Sequence, residues 1–363
     1  MPYSTIDDPE KYFQTVTWTG NGTDDRTITL PGDTNLQPDF IWVKNRTDGE
    51  DFVMMDVVRT FAVNKALRCN GNDAEGGVGT VDRGWVEATS DGFTCQEGGN
   101  NFNLTNASSD TYVAWCWKAG GSASTQTDGT IDTSRTVSTT AGFSIATYTG
   151  NATNGATRGH GLGVAPHMVV VKNRSDDDQK WYIYHHKNTS APETDYLSWS
   201  SVAITADQAG WNDTAPTSTL VTTSDGAEVN ASSKNYVMYS WTGIQGFSRF
   251  GSFEGNGADD GPYVFTGFKP SFLLIKNASG NTEQWNVWDN KRQAYKNPNF
   301  TVTQISRNNA DNTGGTHKVD FLSNGFKVRY NSTEHNQSGE NMVYMAFAET
   351  PIVNSEKEPS TGG

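Results

Sequence analysis

The residues best suited to chemistry fall in two short aromatic segments, Trp181-Tyr-Ile-Tyr184-His185 and Trp285-Asn-Val-Trp288-Asp289, each eight or nine residues beyond a Lys-Asn dipeptide. Tyr and Trp beside Asn and Asp offer ring faces on which sugars stack and anchors that protein interfaces use. Trp181, Tyr182, Tyr184, His185, Trp285 and Trp288 are therefore the ligand-binding candidates. On a strand, alternation places Trp181, Ile183 and His185 on one face and Tyr182 and Tyr184 on the other, and one of those faces is expected to be core. A second constellation is acidic. Asp24-Asp25 and Asp259-Asp260 each follow a Gly-Asn-Gly turn by one residue. Such a loop either ligates a hard cation such as calcium or satisfies its own backbone through Asx-turn bonds. With no further spaced ligands, the turn reading leads, and no metal or cofactor is expected.

Catalytic patterns are otherwise missing from the sequence. It contains no nucleophile elbow, zinc-protease helix, phosphate loop or dinucleotide fingerprint. His160-Gly-Leu-Gly-Val-Ala-Pro166 precedes an apolar run rather than a helix and reads as turn. His185 and His186 are adjacent, so a strand would point them to opposite faces and away from a common ion. Cys116 takes a position held by Ser240 and Ala346 in related segments, which marks a small buried residue rather than a nucleophile. Glycoside cleavage needs two facing acids in an aromatic cleft. Glu193, Asp195, Glu283 and Asp289 form no recurring pair of that kind, so no catalytic residue is assigned and no enzyme is expected.

The elements that must position these residues come from a threefold repeat. Trp18-Thr-Gly-Asn-Gly22, Tyr148-Thr-Gly-Asn-Ala152 and Phe253-Glu-Gly-Asn-Gly257 are each followed by a Pro and an apolar run into Lys-Asn, at Pro38–Asn45, Pro166–Asn173 and Pro270–Asn277. Each repeat closes on a strand that begins after Asn106, Asn230 or Asn336 and ends in Trp117, Trp241 or Phe347, eleven residues later in every case. Repeats of this order and spacing define units. The expected layout is a β-sandwich repeat over 1–118, a Gly/Ser/Thr-rich linker over 119–141 with a short strand around Arg135–Ser138, repeats over 142–246 and 247–349, and a polar tail over 350–363. On the closing strands, Val113, Trp115 and Trp117 share a face, as do Val237, Tyr239 and Trp241, or Val343, Met345 and Phe347. These large side chains are expected to fill each sandwich core, with units two and three packed as a pair and unit one more independent. The fold class is all-β, three tandem antiparallel β-sandwich (jelly-roll-like) repeats.

Composition agrees. The 363 residues hold 37 Gly and 11 Trp, with only 19% charged residues, as a turn-rich β protein with a neutral polar surface would. A net charge of −14 disfavours nucleic acid and anionic membranes, and no run approaches the ~18 apolar residues of a membrane span. Three cysteines without CxxC spacing and no export-type N-terminus imply folding in a reducing cytoplasm.

The repeats also resemble a family encoded by tailed phages of marine bacteria. The resemblance rests on His160-Gly-Leu-Gly-Val-Ala-Pro166 running into Lys-Asn-Arg174, on Trp211-Asn-Asp-Thr-Ala-Pro-Thr-Ser218, and on Gly246-Phe-Ser-Arg-Phe-Gly-Ser252. Ser323-Asn-Gly-Phe326, Ile6-Asp-Asp-Pro9 and Met345-Ala-Phe-Ala-Glu-Thr-Pro351 extend it over nearly the whole chain. Members of that family are described as tail-fibre-like or as SPRY- or concanavalin-like, without established catalytic residues. The resemblance implies a virion structural protein assembled in the host cytoplasm. As a tail-fibre or tail-appendage module it would contact other virion proteins, form a homotrimer and attach to a host surface glycan or protein receptor. The alternative is a capsid decoration protein that binds the major capsid protein; a glycan-active enzyme is the third and disfavoured class.

Overall fold

The computed structural model describes residues 4–76, 84–96, 103–200, 209–279, 283–293 and 296–350. The expected tail over 350–363 lies outside the described residues beyond Thr350. The chain is an all-β sandwich fold whose strand ladders are all antiparallel. Among the described residues, helix is limited to three single 3-10 turns and one α-helical turn at Thr333–Asn336.

Each unit pairs an inner sheet with a smaller outer one. In unit one the inner order is Phe13–Thr19, Thr111–Trp117, Phe40–Asn45, Val53–Asp56. The same order recurs in unit two (Phe143–Thr149, Asn235–Trp241, Met168–Asn173, Tyr182–His185) and in unit three (Ser248–Glu254, Asn341–Phe347, Phe272–Asn277, Trp285–Asp289). The closing strand thus lies between the same two strands in every inner sheet, and its last aromatic stands between the first residues of those neighbours. Trp117 faces Phe13 and Phe40, Trp241 faces Phe143 and Met168, and Phe347 faces Ser248 and Phe272.

The sequence anchors recur because they do the same mechanical work in each unit. The Asn that opens the closing strand latches the Gly-Asn turn. The Asn106 Oδ1 accepts from the Asn21 amide and its Nδ2 donates to the Thr23 carbonyl; Asn230 does the same to Asn151 and Thr153, and Asn336 to Asn256 and Ala258. The turn glycine lies so close to that segment that a Cβ on Gly20, Gly150 or Gly255 would stand 1.9, 2.2 or 2.2 Å from a carbonyl oxygen. Only glycine allows this approach. The Lys of Lys-Asn is buried, and its ammonium donates to a carbonyl a few residues on: Lys44 to Glu50, Lys172 to Gln179, Lys276 to Glu283. Burial lowers all three lysines to about 8.

Two expectations need correction. The large closing-strand side chains do not fill three separate sandwiches. Val113, Trp115 and Trp117 join Val237, Tyr239, Trp241, Val343, Met345 and Phe347 in one core shared by all three inner sheets. Phe13 stacks on Phe347 at 5.3 Å, Phe40 meets Tyr239 at 5.0 Å, and Trp117 meets Phe272 edge-on at 5.6 Å. Each unit's own core lies on the opposite face, around Tyr112, Ala114 and Cys116 in unit one, Tyr236 and Met238 in unit two, and Met342, Tyr344 and Ala346 in unit three. Both faces of the closing strand are apolar, which is why alternation alone could not tell which was which. For the same reason unit one is not the independent member, since it packs against both others. The second correction concerns residues 119–141. Besides the expected strand, found at Thr133–Ser138, they supply Ser124–Gln126, and both belong to unit two as extensions of its inner sheet beyond Phe143–Thr149.

Candidate functional site

The alternation read from sequence places the aromatic candidates in two different cores. Trp181 and Trp285 point into the shared core, at 0% and 1% exposure, where their indole N–H groups donate to carbonyls of the preceding unit: Trp181 to Arg68 and Gly71, Trp285 to Ser198. Trp288 is fully buried in the core of unit three. These three indoles hold the structure together and present no ring face to a ligand, which corrects their assignment as stacking platforms.

His185 is likewise buried, at the seam between units two and three. Its Nδ1 accepts from the Lys187 amide and its Nε2 lies 3.3 Å from the Tyr344 carbonyl, so the neutral tautomer with Nε2–H donating fits both contacts. His186 donates to the Phe250 carbonyl, and its ring stacks on His167 at 4.2 Å. Burial, with the neighbouring imidazoles adding to it, lowers His185 to about 3 and His167 to about 4. His160 also serves structure: buried, and lowered to about 4 by that burial, it ties the loop before Pro166 to the Thr217 carbonyl. Burial raises the Cys116 thiol well above its ordinary value, as befits an inert core residue.

Tyr182 and Tyr184 turn to the outer side, into the sandwich core of unit two. Tyr182 stacks on Tyr196 at 4.3 Å with the rings 13° from parallel, and the pair lines a recess of about 390 Å³. Asn154, Ser224, Asp225 and Glu228 form its polar wall. Asp225 is exposed and Glu228 half-buried. Gly210 closes the floor: its amide donates to the Tyr182 hydroxyl at 3.2 Å, and a Cβ there would meet the phenol ring at 2.1 Å. Burial raises the Tyr182 phenol above its ordinary pKa, so it remains a neutral hydrogen-bonding group. The residues that line the recess all come from unit two. The register position of Tyr182 is Val53 in unit one and Asn286 in unit three. In unit three that neighbourhood is filled by polar side chains: Gln304 donates to both Asn286 and Glu334, and His317 contacts Glu334 at 2.7 Å. Sequence reasoning reached Tyr182 but missed Tyr196, Asp225 and Glu228. The available signal was Gly210, where only a residue without a side chain can pass the Tyr182 ring.

The two acidic turns differ in their surroundings. Asp24 and Asp25 are exposed, and Asp25 holds a left-handed φ of 56°. Asp259 accepts from the Asn331 amide, and Asp260 contacts Lys327 at 3.0 Å and Arg329 at 3.3 Å. The Lys327 hydrogen bond holds the Asp260 carboxyl below its usual range. Basic partners thus stand at Asp260, and among the described residues no group of three or more His, Cys, Asp or Glu could hold a metal. A further surface feature escaped the sequence reading. Tyr263 and Phe265, two apart on the edge strand Tyr263–Phe265, expose 46% and 50% of their surface while Val264 points inward. Units one and two carry Thr27 and Thr29, or Thr157 and Gly159, at these positions.

The chain belongs to the family described as Domain of unknown function (DUF7483), which matches residues 8–351. Among curated proteins and solved structures, nothing matches the chain.

Proposed function

We propose that the chain is a non-enzymatic attachment module displayed on a phage particle, and that the recess of unit two is its glycan-contact site. The recess is the observation that carries the reading. It has the volume of a small-molecule site; the Tyr182–Tyr196 pair, 4% and 6% exposed, closes its inner side, and the carboxylate, amide and hydroxyl groups of its polar wall offer hydrogen bonds to the hydroxyls of a sugar. The shared aromatic core supports it by giving the recess a rigid base. The particle setting draws on the resemblance to phage-encoded repeats, and the homotrimer and contacts to other virion proteins belong to the same proposal. The test is adsorption competition with purified protein. Wild-type protein at saturation blocks phage adsorption to host cells, and Asp225→Asn or Tyr196→Ala protein does so at least tenfold less well. Wild-type protein that does not compete overturns attachment, and equal competition by the variants overturns the recess. Release of oligosaccharide from host envelope by the protein would overturn the non-enzymatic reading.

Decoration of the capsid is the second reading, favoured by Tyr263 and Phe265. An exposed aromatic pair on an outer sheet suits a flat protein contact. Antibody label spread evenly over intact capsids would select it, and label confined to the tail would exclude it.

A further inference from the structure

The outer sheet of unit two carries a charged residue where the other units carry an aliphatic one. Arg158 pairs with Val221 at the register position of Ile28 in unit one and Val264 in unit three. Its exposure is 0%. A guanidinium keeps its proton in proteins, so this is a permanent charge inside a sandwich.

Its partners are all neutral. Nη1 donates to the Ala156 carbonyl at 3.3 Å and to the Thr223 hydroxyl at 2.6 Å, and the Tyr148 ring lies 4.2 Å from Cζ. Among the described residues, Nε and Nη2 are buried and donate to nothing, and the ionisable groups acting on the guanidinium are the phenols of Tyr148 and Tyr236, with no carboxylate among them. In the same core the Trp211 indole N–H also lacks an acceptor among the described residues. The other fully buried arginines are treated differently: Arg59 contacts Asp56 and Glu75, and Arg292 contacts Asp289 and Asp311. A buried charge without a counter-charge is strongly disfavoured, and surplus donors around a cation with no acid nearby define a site for an anion.

We propose that the core of unit two binds a small monovalent anion of the halide class on Nε and Nη2 of Arg158. Complete burial leaves no path for the carboxylate of a macromolecule, and the aromatic wall suits a weakly hydrated ion. The anion would supply in unit two the charge balance that carboxylates supply to Arg59 and Arg292.

The full chain is unfolded thermally at constant ionic strength while sodium gluconate is exchanged for sodium chloride or bromide. The Tm rises with halide and levels off as the site fills. Arg158→Ile, which installs the residue of unit one, abolishes the rise. A Tm indifferent to the anion, or the same rise in Arg158→Ile, overturns the proposal. Bromide-soaked crystals of the wild-type protein provide a readout that does not depend on the variant folding. An anomalous peak beside Nη2 is expected, and its absence refutes the site.

Discussion

The three seams of the molecule share one geometry but are held by two kinds of chemistry. Between units one and two, Asp56 binds Arg59 at 2.5 Å and accepts from the Tyr239 hydroxyl, while Glu75 bridges Arg59 and Arg174. Between units three and one, Asp289 binds Arg292 at 2.6 Å and accepts from the Trp115 indole, while Asp311 bridges Arg292 and Arg46. The two networks correspond member by member, and in both the backbone amide of the bridging acid donates to the carbonyl of the partner arginine. Between units two and three, the Asp is replaced by His185, the Arg by Asn188, and Arg46 and Arg174 by Ala278. That seam is neutral and is fastened by imidazoles on carbonyls. The fold therefore requires a buried hydrogen-bonded contact at each seam but not an ion pair, and the choice between them sets how each seam responds to mutation and pH.

The largest effect should come from unpairing the charged seams. Asp56→Ala combined with Glu75→Ala strands the Arg59 guanidinium, which is 0% exposed, and Asp289→Ala combined with Asp311→Ala strands Arg292. Each should cost about 3–5 kcal/mol in denaturant unfolding. His185→Ala leaves no charge behind and should cost about 1–3 kcal/mol. Equal losses at all three seams would erase the distinction between them.

Acid should act chiefly on the neutral seam. His167, His185 and His186 are held neutral by burial, as is His335 in unit three. Below pH 6.5 the unfolded chain takes up protons that the folded chain refuses, so stability is complete above 6.5 and falls as pH drops towards 4, by about 1.4 kcal/mol per unit of pKa difference for each group. Glu75 and Asp311, whose arginine partners outweigh burial to lower their pKa, add their own loss below about 4.5. His186→Asn should flatten the slope between pH 6.5 and 4 without altering the slope below it. An unchanged slope would remove the seam from the acid response.

The smallest effect belongs to the outer surface. Asp225→Asn at the rim of the recess should change stability by no more than about 0.5 kcal/mol, so any loss of binding can be read without a folding correction. A larger loss in urea unfolding would make Asp225 a structural residue instead.

The sequence exposed what repeats and concealed what does not. The Gly-Asn turn, the buried Lys-Asn and the latching Asn were visible because identical contacts demand identical residues at fixed spacing. The order of strands in the inner sheets follows from those anchors. The shared core was concealed because Trp115 on one face and Cys116 on the other both read as apolar, and pattern alone carries no label for which partner each face meets. The site was partly legible: Tyr182 stood out, whereas Tyr196 and Asp225 come from loops that carry no repeated pattern. Arg158 was invisible, since a four-residue strand of alanine, threonine, arginine and glycine looks like surface.

Differential scanning calorimetry of the full chain tests the shared core most directly. Three inner sheets on one aromatic core should unfold together, giving a single transition whose calorimetric and van't Hoff enthalpies agree. Two or more resolved transitions, with any one unit melting while the others remain folded, would contradict it.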